Sequence, residues 1–395
     1  MQRATFGALL AVLLVTGAAA AVLLQPPEAS VANAGEWGKT DAGTPTVTVT
    51  VQVRNQPGLG LNRRADASYT LALNGVAVAS AGRTDIDVSG DTSTVRLTAS
   101  IREERLGRWW AAFVRANETV SVRAEPHLTV RTGPVRSSPT LSGANRTLLG
   151  SAMPFRGAFT SVASVAEGEY VRNVSEDTLR SEVADRYIDQ SRLDRRRNDS
   201  TTENVTVGYE VRRGWATWGE VTAEHTTLRL HFLLYNPSSI VSLPVDPTAF
   251  DLVLGTSERT LFRAESATVA DAGSYAERGG TPVLEPREIS EVVYVVRLDN
   301  ENVSDWVAGH VSRGERTTLG GTLAVRYDLG PSAVRLPAAG RLSHACELQT
   351  GMLSDQETLT TCRSLTDDGE SGSDDGDTGV PGGKQRALGR AVGGN

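Results

Sequence analysis

The chain repeats itself, and a chain built that way must fold as two versions of one unit. Trp37-Gly38 is followed eighteen residues later by Asn55-Gln56-Pro57, and Trp218-Gly219 eighteen residues later by Asn236-Pro237, both at one offset of 181. The same offset carries Tyr69, Leu71 and Leu73 onto Phe250, Leu252 and Leu254. After a longer loop in the second repeat, Val95 falls on Val292, Trp109 on Trp306 and Glu118 on Glu315.

Each repeat reads as strands. Val47, Val49, Val51 and Val53 alternate with Thr48, Thr50 and Gln52, the period-two pattern of a half-buried strand. Leu228, Leu230, Phe232 and Leu234 do the same in the second repeat. Both strands stop near Asn-Pro, where an Asn side chain bonds local backbone and Pro fixes φ and removes a donor. Tyr69–Leu73 ends at Asn74-Gly75, a strong hairpin signal. Val95, Leu97, Ala99 and Ile101 alternate again, matched by Val292, Tyr294, Val296 and Leu298. One helix per repeat breaks this pattern. Arg108–Ala116 sets Trp109, Trp110, Phe113 and Val114 at helical spacing. Ser304–Ser312 does so with Trp306, Val307 and Val311, Ser304 serving as N-cap. The expected fold is mainly β: two tandem antiparallel β-sandwiches, each with one helix that packs its tryptophan onto a sheet.

The N-terminus adds a membrane segment. Thr5–Leu24 is twenty residues without a charge, long enough to span a bilayer as a helix. Gly17–Ala21 supplies small residues at which a signal peptide would be cut, so an anchor and a cleaved signal both fit. Arg3 ahead of the run favours a cytoplasmic N-terminus, with everything after Gln25 outside. Six of thirteen asparagines lie in N-x-[S/T] sequons, at Asn117, Asn145, Asn173, Asn198, Asn204 and Asn302, which agrees with an exterior location. The two cysteines, Cys346 and Cys362, would there close a short loop as a disulfide, or else stand as two free thiols.

The ordered set Trp218-Gly219-Glu220-Val221, the strand Leu228–Tyr235, Asn236-Pro237, Pro244, the strands Phe250–Leu254 and Glu291–Leu298, and the helix bearing Trp306 resembles the late embryogenesis abundant type 2 family, also called the water stress and hypersensitive response (WHy) domain. The resemblance is to an archaeal-type, membrane-anchored member with two tandem copies. It implies small sandwiches of fibronectin-III or immunoglobulin-like shape, no catalysis, and a link to desiccation or osmotic stress. Trp218, Gly219, Asn236, Pro237 and Trp306 then stand as motif residues of the fold. The second copy is the closer match; the first has Asn55-Gln56-Pro57 at the key turn and no evident strand before Trp37.

The expected organisation is an anchor or signal over 1–25, a linker over 26–35 and a first sandwich over 36–133. A Ser/Thr/Asn/Arg-rich connector follows over 134–205, then a second sandwich over 206–337 and a polar acidic tail over 338–395, largely disordered. Within the connector, Ser175 and the acidic residues after it start a helix that carries Leu179, Val183 and Tyr187 on one face.

A net charge of −7 argues against a general nucleic-acid binder. No nucleophile motif, phosphate loop or HExxH occurs, and Glu103-Glu104 would point to opposite faces of a strand. No catalytic residue, metal ligand or cofactor is therefore assigned. His344-x-Cys346 lacks further ligands, and Asp374–Asp377 lacks the complete calcium-loop pattern. Two function classes remain. One is a stress-linked exterior protein held by its membrane helix; the other is a binding module that takes a lipid, a glycan or a surface protein.

Overall fold

The computed structural model describes residues 28–31, 35–39, 44–54, 63–132, 134–139, 141, 144–148, 154–198, 204–353, 356 and 359–364. The expected membrane segment over 1–25 and the acidic stretch after 364 lie outside the described residues. Among those described, no helix is long and apolar enough to cross a membrane.

The fold is mainly β, with antiparallel sheets and five α-helices among the described residues. In the first repeat Pro45–Arg54 lies between Thr92–Ser100 on one side and Glu28–Val31 with Glu36–Lys39 on the other. Its buried residues are Val47, Val49, Val51 and Val53, the alternation read from the sequence. A second sheet runs Val76–Asp87, Arg63–Leu73, Val120–Thr132, then Val135–Ser137 and Ala144–Leu148. Asn74 and Gly75 form its tight turn with φ of 48° and 77°, the left-handed pair that Asn-Gly supplies at low cost. Helix α1 (Glu103–Arg115) buries Trp109, Trp110 and Phe113. Glu103 and Glu104 are in its first turn, where the helix dipole favours acids, and not in a strand as expected.

The second repeat has a sheet ordered Gly168–Val174, Val205–Val221, His225–Tyr235, Ile289–Asp299, Thr268–Val269. Its other large sheet runs Thr260–Ala264, Ala249–Gly255, Arg316–Asp328, Leu342–Gln349, Leu359–Ser364. The last helix, α5 (Val303–Ser312), has Asn302 as its N-cap residue; Ser304, the expected cap, bonds the Glu301 carbonyl instead.

Strand register shows the repeat directly. Trp37 pairs with Val47 and Trp218 with Leu228; Val51 pairs with Val95 and Phe232 with Val292. The offset of 197 continues beyond the expected end of the first unit. Val130 pairs with Ser137 as Tyr327 does with Val334, and Ala124 pairs with Ala144 as Gly321 does with His344. One landmark shifts: Leu71 opposes Ala124, whereas it is Leu254, not Leu252, that opposes Gly321. A two-residue slip keeps the same face inward, so alternation alone does not detect it.

The units run past the boundaries expected at 133 and 337. Val135–Ser137 and Ala144–Leu148 complete the first, and Leu342–Gln349 pairs along Arg316–Asp328 in the second. A strand also precedes Trp37, since Glu28–Val31 pairs with the far end of Pro45–Arg54. The expected connector carries α2 (Pro154–Val165), α3 (Glu176–Glu182) and α4 (Gln190–Asn198). Helix α2 lies on the second unit: Phe155, Ala158, Phe159, Val162 and Ala163 are all buried. Gly321 makes room for it, since a Cβ there would sit 2.6 Å from Val162 Cγ2 and 2.1 Å from His344 Cε1. One continuous apolar core runs from Val47 to Met352.

Candidate functional site

Each repeat has a tryptophan in its opening strand and a glutamate just after its helix, and the repeats hold one another by these residues. Trp37 Nε1 donates to Glu315 Oε1 at 2.6 Å, and Trp218 Nε1 donates to Glu118 Oε1 at 2.6 Å. The two carboxylates are 2% (Glu118) and 1% (Glu315) exposed and sit at φ of 60° and 61°.

A buried carboxylate needs several donors. Glu118 also accepts from the Phe155 and Arg156 backbone N–H groups at 2.8 and 2.9 Å, and so caps α2. Glu315 accepts from the Met352 and Leu353 N–H groups at 2.5 and 2.9 Å and from Thr350 Oγ1 at 3.1 Å. The 197 offset that takes Glu118 to Glu315 also takes Phe155 to Met352, so the capped segments are equivalent too. Burial raises the Glu118 carboxyl above its ordinary range; the Trp218, Arg156 and Phe155 donors oppose this but do not cancel it.

Aromatic packing surrounds this junction. The Phe155 ring stands edge-on to Trp110 and to Trp306, 4.8 Å from each. Trp110 Nε1 donates to Thr226 Oγ1 at 2.9 Å, which donates to Asn300 Oδ1 at 2.8 Å. Gly107 brings α1 against the other repeat, where any Cβ would lie 2.5 Å from the Ala223 carbonyl oxygen. His310 is stacked on Trp306 and bonded to Thr317 and Thr350 at 2.7 and 2.8 Å. Burial pushes its imidazole down to about 3.

The motif residues have structural roles. Asn236 is fully buried. Its Nδ2 lies 2.8, 3.0 and 3.1 Å from the carbonyls of Val241, Leu284 and Glu285, and its Oδ1 accepts from Ser238 N at 3.0 Å. Those bonds fasten the turn at Pro237 to the small sheet of Leu243–Pro244, Thr281–Leu284 and Ala276–Arg278. Gly219 lies close under Thr227, whose Cγ2 would meet a Cβ at 3.0 Å. Cys346 and Cys362 face each other across adjacent strands and are joined as a disulfide. Of the sequon asparagines, Asn117, Asn173, Asn198 and Asn204 are exposed and Asn302 is half-buried. Asn145 is in the Ala144–Leu148 strand. The sequence reading passed over α2. Its signal was Phe155, Ala158, Phe159, Val162, Ala163 and Ala166 at three- and four-residue spacing.

The larger cavity, about 730 Å³, lies between α5 and the turn after Gly255. A smaller one of about 430 Å³ is walled by Glu125–Thr129 and Ser138, Pro139 and Leu141. Among the described residues, no three His, Cys, Asp or Glu side chains converge as a metal site would require.

No family model and no curated protein matches the chain. Among solved structures, a crystal structure of a protein from Archaeoglobus fulgidus aligns over 31% of this chain and 93% of its own, at 20% identity and a TM-score of 0.24. A beta-glucuronidase from glycoside hydrolase family 2 aligns over 81% of this chain and 26% of its own, at 7% identity and a TM-score of 0.17. The chain thus spans about a quarter of the glucuronidase's length.

Proposed function

We propose that this chain is a non-enzymatic, membrane-tethered exterior protein of the late embryogenesis abundant type 2 or WHy kind, linked to desiccation or osmotic stress. Its units are read as fibronectin-III-like sandwiches held away from the bilayer by the N-terminal segment. One observation carries the reading: the residues that mark the resemblance form the framework. Trp218 bonds a buried carboxylate of the other repeat, and Asn236 knots a turn. Conserving structure rather than a reaction centre is what a protectant or spacer needs.

Two measurements test this. Protease added to intact cells should remove both repeats; full protection of the Trp218 repeat refutes the exterior placement. Cells lacking the protein should survive drying or osmotic shock less well than cells carrying it, and equal survival refutes the stress role. The second class, a binding module, draws its support from the open cavity beside Trp306.

A further inference from the structure

We infer that the cavity between α5 and the turn following Gly255 binds a neutral saccharide. The inference deepens the binding reading. It requires neither the membrane anchor nor the stress role, so its failure and theirs are read in different experiments.

The cavity exists because the repeats diverge at this point. In the first repeat α1 packs directly on the Val76–Asp87 strand. Arg102 N donates to the Val78 carbonyl at 2.8 Å, and the Arg102 guanidinium reaches Ser80. In the second repeat the chain entering the helix is tied elsewhere, with Asn300 N donating to the Glu224 carbonyl at 2.9 Å. Helix α5 therefore stands off the Thr260–Ala264 strand, and the gap is the cavity.

Its lining fits a ligand that is polar but uncharged. Trp306 forms part of the wall. It is 7% exposed, its ring orientation is fixed by His310 and Phe155, and its buried Nε1 has no partner among the described residues. A buried indole N–H without an acceptor is uncommon and suits a hydroxyl oxygen supplied from outside. Thr256, Thr260 and Ser312 add hydroxyls. Asn302 adds an amide that the helix does not use as a cap. The four charged residues cancel in pairs, Arg259 with Asp305 and Arg313 with Glu258. An anionic or cationic ligand would have to break one of these pairs, whereas a polyol can bond to both members of each. The volume is in the range of small-molecule sites and takes a mono- to trisaccharide.

The sugar has two sources. It can be free, or it can be the glycan on Asn302, whose sequon lies in the cavity wall. Both have the same chemistry, and the test separates them.

The full chain is produced without glycosylation and labelled with ¹⁵N. The six tryptophans give separate indole N–H signals, and Trp306→Phe identifies the one that matters. Maltose, trehalose and chitobiose are titrated, with glycine betaine and sodium acetate as charged comparisons. At least one saccharide should shift the Trp306 signal at concentrations on the order of millimolar, while the other five indoles stay put. Ser312→Trp and, from the opposite wall, Thr260→Trp should each weaken that shift at least tenfold without changing thermal unfolding. Asn302→Gln should retain it. In chain purified from its host, a Trp306 signal already displaced, and restored by Asn302→Gln, identifies the attached glycan as occupant; a signal still free to titrate identifies a free sugar. If no saccharide moves Trp306 in the unglycosylated chain and Asn302→Gln leaves the host-derived signal unchanged, the inference is overturned. Binding confined to betaine or acetate overturns it as well.

Discussion

Trp218→Phe tests whether the crossed tryptophan–glutamate bonds hold the molecule together. The substitution keeps an aromatic ring between Trp110 and Phe159, which lie 6.2 and 5.6 Å from it, and deletes the N–H that Glu118 accepts at 2.6 Å. A hydrogen bond to a charged group contributes about 1.5–3 kcal/mol, and the lost part of the indole adds about 1 kcal/mol of burial. The expected cost is therefore about 2–4 kcal/mol. Glu118 retains only its two backbone donors. Trp37→Phe should cost less, because Glu315 retains three donors. Urea unfolding followed by far-UV circular dichroism and tryptophan fluorescence measures both variants. Pairing Trp218→Phe with Glu118→Gln then closes a double-mutant cycle. A coupling of at least about 1 kcal/mol is expected from contact at this distance. Additivity within about 0.3 kcal/mol, or a Trp218→Phe cost below about 0.5 kcal/mol, would show that the junction is held by apolar packing alone.

A fragment over 205–340 should fail to fold cooperatively, because it lacks α2, Gly168–Val174 and Leu342–Gln349; a sharp denaturant transition in that fragment refutes the interlocked units. His310→Phe, which installs the residue found at the equivalent position 113, should flatten the acid limb of stability. The folded imidazole is depressed to about 3 from 6.5, so its contribution is complete above 6.5 and is lost as pH falls toward 3, at about 1.4 kcal/mol per pH unit. Identical acid limbs in variant and parent exclude that role. Cys346→Ala with Cys362→Ala should lower unfolding free energy by about 3 kcal/mol in the chain-entropy account, and no change on denaturant titration contradicts it.

The sequence displayed what is periodic. Val47 to Val53 and Leu228 to Leu234 alternate because one sheet face is buried, and Ser175 declared the start of α3 through a bond that its hydroxyl accepts from Thr178 N. What stayed hidden depends on partners far along the chain. Glu118 and Glu315 were visible only as a matched pair of letters. Their burial comes from residues 100 and 278 positions away. The outer strands 135–137 and 144–148 are short and polar, so no alternation marks them, and the sheet they join makes them strands. Helix α2 was legible in principle, but its Ser- and Thr-rich surroundings resemble a linker. The cavity was not legible, since it arises from where α5 stands and not from any residue type.

The two tryptophan–glutamate bonds are related by exchange: the first repeat's tryptophan meets the second's glutamate, and the second's meets the first's. This is the isologous contact of a two-fold dimer written into one polypeptide. A chain with a single repeat would satisfy both its tryptophan and its buried carboxylate only by associating with another copy of itself. Fusing the two makes that association intramolecular and independent of concentration. It also frees the halves from identity. One can replace Phe113 by His310, or open a cavity beside its helix, while the other keeps the contact sealed.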